Sequence, residues 1–373
     1  MKILMHCVYF PPEFGGLESH VYHLCRALAG QGHQVDIVTS RSKPDEAPAH
    51  EVMDGVGVWR TWFPGKNLAG WTAHAVGSVP RTVRLAREAD VLHAQAFQSV
   101  PPLAVARAFT GAPLVTTYHT SHFLKMAAKP VWRGVLGRLV AAGDHNLAAS
   151  VEIARVAEGL APGHGVEPLT NGVDTDLFHR VEPALPAPGN GRRRVLVPRR
   201  LFHKNGVEHF VRAVPLIARA VDIEAVLVGD GPERGALERL ADDLGVSRRI
   251  RFLGAKRNAE MPGLLSSAEL AVFPSLMEAT SVAALECMAC ELPVAASNVG
   301  GLPEIVDDQV GGLFQPADPA DLARVVLGLL QDADLRALGA RARERVVANW
   351  SNARLAARHL EIYEELIRRR RST

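Results

Sequence analysis

The chain has 373 residues, 47% of them hydrophobic and 22% charged, and its formal net charge is +2. This length predicts about two globular domains, and the near-neutral charge disfavours a nucleic-acid-binding protein. Because no stretch approaches 18 apolar residues and the start MKILMHCVYF lacks the features of a signal peptide, we expect a cytoplasmic protein.

Strand and helix patterns alternate along the first half of the chain. A helical pattern from Leu17 to Gly30 separates the first two strands. Such alternation predicts a parallel sheet covered by helices on both faces. The predicted strands are Lys2 to Phe10, Gln34 to Ser40, Val56 to Trp62, Asp90 to Gln95, Pro113 to His119, His145 to Ala149 and Val166 to Leu169.

A proline- and glycine-rich segment, PALPAPGNG at 183–191, interrupts this alternation and predicts an interdomain linker. Helical patterns follow it from Val207 to Ala220 and from Pro319 to Leu330. The alternation restarts there, which predicts a second doubly wound domain. Its predicted strands are Arg194 to Arg199, Ile223 to Gly229, Ile250 to Gly254, Glu269 to Phe273 and Pro293 to Ser297.

The predicted domains are therefore 1–182 and 192–350, followed by a C-terminal segment, 351–373, for which packing back on the first domain is left open. The last helix, Asn352 to Arg370, ends in the arginines 368–371. Positive charge suits a helix C-terminus, and an anionic membrane surface or phosphate-rich partner is the alternative explanation.

Cys287 and Cys290 form a C-x2-C pattern inside a helical segment. No second Cys or His pair stands at metal spacing, and Cys7 and Cys25 are remote in sequence. We interpret all four as small buried thiols, with no metal site.

Two such domains predict a ligand cleft between them, at the carboxyl edges of both sheets. Gly15 and Gly16, in PPEFGGLESH after the first strand, would let the backbone approach an anion or sugar at a helix N-terminus. A plain tight turn is the alternative. The dinucleotide and P-loop glycine patterns are absent from this segment, which disfavours NAD and ATP.

His119 stands where the fifth predicted strand ends, in TTYHTSHFLK, and could form hydrogen bonds to a ligand. His122 and Lys125 follow at helical spacing as candidate acceptor contacts, although a solvated face explains them equally well.

Arg200 and Lys204 lie in PRRLFHKNG, after the first strand of the second domain. Two cations in this loop would neutralise a departing diphosphate without a metal ion, and PRRLFHKNG itself holds no D-x-D magnesium motif. A solvated basic loop is the alternative.

Glu278 and Glu286 stand eight residues apart in PSLMEATSVAALECMACELPVAAS, where a strand leads through a turn into a helix. Because carboxylates accept paired hydrogen bonds from diols, they predict a sugar or nucleotide-sugar site.

The ordered set of segments resembles the family 4 retaining glycosyltransferases, which share the GT-B fold of two Rossmann-like, doubly wound parallel-sheet domains facing an interdomain cleft. The resemblance covers nearly the whole chain and rests on PPEFGG, TYHT, LTNGVDTDLF, RRLFHKNG, LVGDGP, FPSLMEATSVAALE and SNVGGLPEIV. It implies a donor bound mainly by the C-terminal domain and an acceptor bound mainly by the N-terminal domain.

The resemblance also implies roles for individual residues. Glu286 would bind the ribose hydroxyls, Glu278 would contact the transferred sugar, and Arg200 and Lys204 would neutralise the diphosphate. His119 would touch the sugar and help to place the acceptor hydroxyl. The remaining implied donor contacts are Gly15, Gly16, Thr280 and Ser281, with Ala255 and Lys256 against the base.

The implied reaction is retaining and metal-independent transfer of a hexose from a UDP- or GDP-sugar to a hydroxyl of a glycan, lipid or small molecule. No cofactor is implied, because the nucleotide-sugar is a substrate. A GT-B nucleotide-sugar epimerase or hydrolase and a non-catalytic nucleotide-sugar-binding protein are the alternatives.

Three positions depart from the family pattern. Ala279, Thr280 and Ser281 follow Glu278 where the family often has Gly-Phe-Gly, and Ser281 is a candidate N-cap. Asn205 follows Lys204 where Lys-Gly is usual, so whether Arg199 or Arg200 is the functional arginine depends on a one-residue shift. Glu291 occupies a helix-ending position where glycine is common, and a positive φ there would cost about 1 kcal/mol.

An aromatic region raises the question of membrane contact. Its residues could form a peripheral surface on the inner face of a membrane, or could pack against a strand and an ordered loop. They are Trp59, Trp62, Phe63, Lys66 and Trp71.

Overall fold

The computed structural model describes residues 1–13, 15–119, 121–278 and 281–372, without the side chains of 121 and 190. The chain forms two compact units. The first combines Met1–Asn171 with Asn352–Thr373, and the second is Gly172–Ser351.

The sheet of the first unit has eight strands in the order β3-β4-β2-β1-β5-β6-β7-β8, and every neighbouring pair is parallel except β3 with β4. The strands are β1 (Lys2–His6), β2 (Gln34–Ser40), β3 (His50–Met53), β4 (Val56–Thr61), β5 (Val91–Gln95), β6 (Leu114–Tyr118), β7 (His145–Ala148) and β8 (Val166–Pro168). The helices are α1 (Gly16–Gly30), α2 (Leu68–Ala86), α3 (Val100–Thr110), α4 (Ser121–Ala127), α5 (Pro130–Ala141) and α6 (Val151–Leu160).

The alternation of strand and helix produces the predicted sheet because its central strands are almost continuous apolar runs, buried on both faces. Strand β3 was not predicted. It forms a hairpin with β4 through Asp54 and Gly55, both with positive φ (47° and 82°), which is a turn signal visible in the sequence.

The sheet of the second unit has six parallel strands in the order β11-β10-β9-β12-β13-β14. The strands are β9 (Arg193–Val197), β10 (Ile223–Leu227), β11 (Ile250–Phe252), β12 (Leu270–Phe273), β13 (Val294–Ser297) and β14 (Gly311–Phe314). The helices are α7 (Val207–Ile217), α8 (Arg234–Asp243), α9 (Met261–Leu265), α10 (Val282–Ala289), α11 (Leu302–Ile305), α12 (Pro319–Asp332) and α13 (Leu335–Trp350).

The strand order of this second sheet reverses between β9 and β12. In an open parallel sheet, the loops that leave neighbouring strands at such a reversal run in opposite directions and leave a crevice at the carboxyl edge. Strand β14 was not predicted, because its sequence Gly-Gly-Leu-Phe lacks strand propensity.

The C-terminal helix α14 (Asn352–Ser372) belongs to the first unit. Its Leu355, Ile362 and Tyr363 share one core with Val21 and Leu24 of α1. The chain therefore returns to the first unit for its last helix.

The segment predicted as a linker, 183–191, lies inside the second unit. The amides of Ala184 and Leu185 donate to the Gly263 carbonyl (2.9 Å) and the Ser267 hydroxyl (3.0 Å). The buried guanidinium of Arg194 donates to the Pro186 carbonyl at 2.7 Å. Prolines and glycines thus mark an irregular segment that is held on the surface of the second unit, and the chain passes between units at 171–172 and 351–352.

The four cysteines are free and buried, as predicted. Burial raises the pKa of the Cys290 thiol to about 12, and the same desolvation raises the pKa of the other three. Among the described residues, no group of three or more His, Cys, Asp or Glu side chains is arranged to hold a metal ion. None of the helices in the described ranges combines the length and apolar character needed to cross a bilayer.

Candidate functional site

Arg199 and Glu278 meet at the reversal point of the second sheet. Arg199 follows β9, Glu278 follows β12, and Nη2 of Arg199 donates to Oε2 of Glu278. The two side chains retain only 10% and 15% exposure, so this ion pair is largely shielded from water. The same guanidinium donates to Oδ1 of Asn205 at 2.8 Å, and Asn205 in turn donates to the Arg200 carbonyl at 2.5 Å.

Two glycines allow the loops around this ion pair to pack backbone against backbone. A Cβ on Gly300 (φ 53°) would lie 1.6 Å from the Glu278 carbonyl oxygen, and one on Gly229 (φ 149°) would lie 2.1 Å from the Arg199 carbonyl oxygen. A side chain at either position would push the loops apart. The loops after β9, β10, β12 and β13 therefore hold Arg199 and Glu278 in fixed positions.

Two buried polar atoms of the site have no hydrogen-bond partner among the described residues. They are Nε of Arg199, in the ion pair, and Oγ of Ser281, at the start of α10. Ser281 occupies the N-cap position of α10, as predicted, but its hydroxyl does not accept a bond from the first helical turn. Unpaired buried polar atoms are costly in a folded protein, which is typical of groups reserved for a ligand. Thr280, a predicted donor contact, and Ala279 lie outside the described residues.

Glu286 lies on α10, five residues after Ser281. Glu286 is half-buried, and desolvation raises the pKa of its carboxyl group to about 8. No hydrogen bond or ion pair to this carboxyl is found in the described part of the chain. A desolvated carboxyl group without a protein partner is suited to accept hydrogen bonds from hydroxyl groups of a ligand.

Arg200 is exposed, with its guanidinium 5.6 Å from the centre of the Phe202 ring, so the arginine that contacts Glu278 is Arg199. Lys204 is exposed, and its carbonyl accepts bonds from the amides of Leu276 (2.9 Å) and Met277 (3.2 Å). The loops that carry Lys204 and Glu278 are thereby joined.

Ala255 and Lys256 are exposed and follow β11, at the same carboxyl edge of the second sheet. The Gly229 amide donates to the Gly254 carbonyl at 2.9 Å, which ties this loop to the one after β10.

At the far end of α10, Glu291 has a φ of 58°, so the left-handed conformation considered from the sequence is present.

In the first unit, His119 directly follows β6 and is buried. Its Nδ1 lies 3.0 Å from Oδ1 of Asn171 and its Nε2 lies 2.7 Å from Oε1 of Gln95. Desolvation lowers the pKa of His119 to about 4, so the ring is neutral at pH 7 and carries one N–H. Two amide side chains therefore fix the orientation of this ring.

Gly15 and Gly16 stand at the N-terminus of α1, as predicted, and Gly15 is extended (φ −178°). A Cβ on Gly15 would lie 2.3 Å from Oε2 of Glu18, whose carboxylate occupies the first turn of the helix. This carboxylate already interacts with the positive end of the helix dipole, which reduces the attraction of α1 for a bound anion.

The two candidate acceptor contacts differ. His122 is half-buried between Phe97 and Trp71, with ring centres 5.8 and 5.6 Å away, and burial lowers the pKa of His122. Lys125 is exposed. Packing therefore accounts for His122.

Packing also accounts for most of the aromatic region. The indole of Trp59 donates to Asp36 at 2.7 Å, the indole of Trp71 donates to the Tyr9 hydroxyl at 2.8 Å, and Phe63 packs edge-on against Tyr9. Lys66 pairs with Glu13 at 2.9 Å. Trp62 is the exposed aromatic side chain of this group.

Several buried histidines of the first unit predict acid sensitivity. Desolvation lowers the pKa of each below 6.5, to about 4 for His74, His119 and His359. The unfolded chain takes up protons on these histidines as the pH falls below about 6.5, whereas the folded unit takes them up only at lower pH, so stability falls as the pH falls below 6.5. The set is His6, His20, His74, His93, His119 and His359.

Thermal melting across that pH window tests this expectation, with the melting temperature falling steadily towards acid. His119→Gln removes one titrating group and should make the fall less steep. A melting temperature that stays constant down to pH 4 would contradict the expectation.

The sequence reasoning did not select Gln95, Asn171 or Asn205, and left Arg199 undecided. Gln95 ends β5 and Asn171 lies in the LTNGVD turn, so both follow strands and a search for polar residues at strand ends would have included them. Asn205 stands beside Lys204 in HKNG. Their bonds to His119 and Arg199 are tertiary contacts that local sequence does not specify.

Residues 192–332 match the family described as glycosyl transferases group 1, and residues 14–177 match glycosyltransferase family 4. The chain is 31% identical to D-inositol 3-phosphate glycosyltransferase of Salinispora tropica, over 96% of this chain and 83% of the relative. It belongs to the family 4, group 1 glycosyltransferases.

A second relative of this glycosyltransferase is the GDP-mannose-dependent alpha-(1-6)-phosphatidylinositol monomannoside mannosyltransferase of Mycobacterium tuberculosis, 31% identical over 96% of each chain. The solved sucrose-phosphate synthase of Thermosynechococcus elongatus superposes with a TM-score of 0.83 at 24% identity, covering 98% of both chains. The predicted GT-B fold of two parallel-sheet α/β domains and the predicted enzyme class are confirmed.

Proposed function

We propose that this enzyme is a retaining, metal-independent hexosyltransferase that uses a UDP- or GDP-sugar and a hydroxyl acceptor. The single observation that carries the proposal is the shielded Arg199 and Glu278 pair at the reversal point of the second sheet. A crevice at the carboxyl edge of such a sheet is the usual position of a nucleotide ligand.

The donor-binding role rests on groups of the second unit. Glu286 is desolvated and accepts the ribose hydroxyls, which relieves the cost of its burial. Arg200 and Lys204 are exposed on the loop after β9 and bind the diphosphate, and Ala255 with Lys256 contacts the base. Nε of Arg199 and Oγ of Ser281 supply further donors to the bound ligand.

The proposed transfer breaks the bond between the anomeric carbon and the diphosphate oxygen, and the acceptor oxygen bonds to that carbon on the same face. The acceptor proton passes to the leaving phosphate oxygen. Glu278 stabilises the positive charge that develops on the sugar, while the cations of the loop after β9 stabilise the departing diphosphate. His119, held through both ring nitrogens by Asn171 and Gln95 in the first unit, contacts the sugar and helps to place the acceptor hydroxyl.

The relatives support a polyol or lipid acceptor. One is described as acting on D-inositol 3-phosphate and another on a phosphatidylinositol mannoside, and the latter is described as GDP-mannose-dependent. We therefore place an inositol-containing or other polyol acceptor first, with the enzyme in the cytoplasm and able to reach the inner face of the membrane. A nucleotide-sugar epimerase or hydrolase, or a binding protein without catalysis, are the competing functions.

The decisive experiment has two steps. Thermal shift against UDP, GDP and their sugar conjugates identifies the donor, since a ligand of the native state raises the melting temperature. The identified donor is then incubated with the enzyme, with and without inositol phosphates or phosphatidylinositol, in EDTA throughout. We expect a glycoside that forms only with acceptor and retains the anomeric configuration.

Other outcomes favour the competing functions. Consumption of donor without acceptor indicates an epimerase or hydrolase, and binding without any turnover indicates a non-catalytic protein. Loss of transfer in EDTA that magnesium restores would contradict the roles of Arg200 and Lys204.

A further inference from the structure

Buried polar side chains connect His119 to the C-terminal helix inside the first unit. Oε1 of Gln95 lies 2.7 Å from Nε2 of His119. The amide nitrogen of the same glutamine lies 3.3 and 3.4 Å from the two ring nitrogens of His93, and Nδ1 of His93 lies 2.6 Å from the Tyr363 hydroxyl. None of these four side chains is more than 4% exposed. His93 and Tyr363 are 270 residues apart in sequence, so folding of the unit brings them together.

The ring of His93 is held at both nitrogens. The Tyr363 hydroxyl lies at Nδ1, and Oγ1 of Thr117 lies 2.7 Å from Nε2. His359, also on α14, packs its ring against that of His93 with the ring centres 5.4 Å apart. Nδ1 of His359 donates to the Leu355 carbonyl at 2.8 Å, which fixes this second ring. Helix α14 therefore supplies two of the side chains that orient His93.

Met5 favours one orientation of the Gln95 amide. The amide nitrogen of Gln95 lies 3.9 Å from Sδ of Met5. A thioether sulfur carries no hydrogen and can only accept, so it suits the NH2 end of the amide and not the oxygen. The same sulfur also accepts from the Cys25 thiol at 3.4 Å. With the NH2 end turned towards Met5 and His93, Oε1 is the atom that faces His119.

The orientation of Gln95 in turn selects the nitrogen of His119 that carries the proton. An amide oxygen only accepts, so Nε2 of His119 donates to it. Because the ring is neutral at pH 7, Nδ1 then carries no hydrogen. Nδ1 faces Oδ1 of Asn171 at 3.0 Å, and half a turn of this amide brings its NH2 group to the same place. Asn171 can therefore adapt to the tautomer that Gln95 selects.

We propose that His93, Gln95 and Tyr363 are positioning residues that hold His119 as its Nε2–H tautomer. The inference rests on the proposed function, in which His119 contacts the sugar and helps to place the acceptor hydroxyl. A ring with one orientation and one tautomer presents the same donor and the same acceptor in every turnover. Through Tyr363, the last helix of the chain contributes to this site.

Nitrogen NMR of the full chain, with its histidines labelled with nitrogen-15, reads the tautomer directly. Protonated and bare nitrogens of a neutral imidazole give well-separated signals, and the signals of His119 are identified by their loss in His119→Gln. We expect the proton on Nε2 in the wild type at neutral pH. Tyr363→Phe removes one hydroxyl of α14 and should give a mixture of both tautomers. Gln95→Leu removes the acceptor and should give mainly the Nδ1–H form, which donates to Asn171.

The kinetic expectation separates turnover from binding. Tyr363→Phe and Gln95→Leu should lower kcat by up to about 100-fold, the cost of misplacing a group by about 1 Å. Nucleotide affinity should stay at the wild-type value, because the proposed nucleotide contacts belong to the second unit. The matched control is Tyr22→Phe on α1, which removes a hydroxyl that donates to Asp54, outside the network. It should keep both the wild-type tautomer and the wild-type kcat.

Two outcomes would overturn the proposal, whatever the melting temperatures of the variants. One is a His119 tautomer that is the same in wild type, Tyr363→Phe and Gln95→Leu, which would mean that the network only satisfies buried polar groups. The other is a wild-type proton on Nδ1. Failure of the proposed function is distinguishable from both. If His119→Gln transfers sugar at the wild-type rate, His119 has no part in that function, while the NMR signals still test the network.

Discussion

Glu278→Ala should lower the rate of sugar transfer by about 10²- to 10³-fold, the loss typical of removing one group that stabilises transition-state charge. Nucleotide affinity should stay close to wild type, because this carboxylate is proposed to contact the transferred sugar and not the nucleotide. Single-turnover rates with the identified donor and acceptor, beside nucleotide titrations, separate these two quantities.

The charge of Glu278 can be separated from its hydrogen bonds. Glu278→Gln retains an oxygen that accepts from Arg199 but loses the negative charge, so it should be nearly as inactive as the alanine variant. It should also melt below wild type, because the shielded Arg199 cation loses its counter-charge. If the glutamine variant transfers sugar normally, Glu278 acts only by holding the loops together.

The adjacent arginines provide a matched comparison for this site. Arg199→Ala removes the partner that orients Glu278 and should mainly lower kcat. Arg200→Ala removes an exposed cation proposed to bind the diphosphate both before and during its departure, so it should raise KM as well as lower kcat. The reverse pattern would exchange the two roles.

Above pH 8, where the Glu286 carboxyl is ionised, Glu286→Gln should weaken nucleotide binding by about 10- to 100-fold, because hydrogen bonds from hydroxyls to a charged acceptor are stronger than those to a neutral one. The same variant should be more stable than wild type at high pH when no ligand is bound. The wild-type carboxyl has a folded pKa of about 8 against an ordinary 4.5, so the unfolded chain loses this proton first and stability falls as the pH rises between these values.

The glutamine side chain does not titrate, so it escapes this loss. Paired melting curves and nucleotide titrations across the pH range measure both effects. A variant that binds nucleotide normally would remove Glu286 from the proposed donor site, and a variant that melts lower at all pH values would mean that the carboxyl group stabilises the fold.

Opposite effects on stability and binding are the expected signature of a ligand-binding group held in an unfavourable environment. Desolvation of the Glu286 carboxyl group destabilises the unliganded protein, and hydrogen bonds from a bound diol offset this cost. Glu278 differs, since Arg199 compensates its charge in the absence of ligand. The stability of the unliganded protein should therefore change differently in Glu278→Gln and in Glu286→Gln.

The sequence by itself determined the two parallel sheets, most of their strands and the position of the glutamates. Apolar runs that alternate with helical periods specify local elements, and strands followed by polar loops bring those loops to one edge of a sheet. The motif order also sufficed to identify the family, because it combines many short segments across nearly the whole chain.

Only the tertiary structure decided which arginine meets Glu278 and where the chain crosses between units. Arg199 and Arg200 are adjacent and chemically identical, and only the packing of the loops after β9 and β12 makes Arg199 the partner. The proline-rich segment 183–191 has no local signal for its docking, because the partners that hold it, Gly263, Ser267 and Arg194, come from elsewhere in the second unit. These hydrogen bonds depend on how separate elements pack together, so local sequence patterns do not specify them.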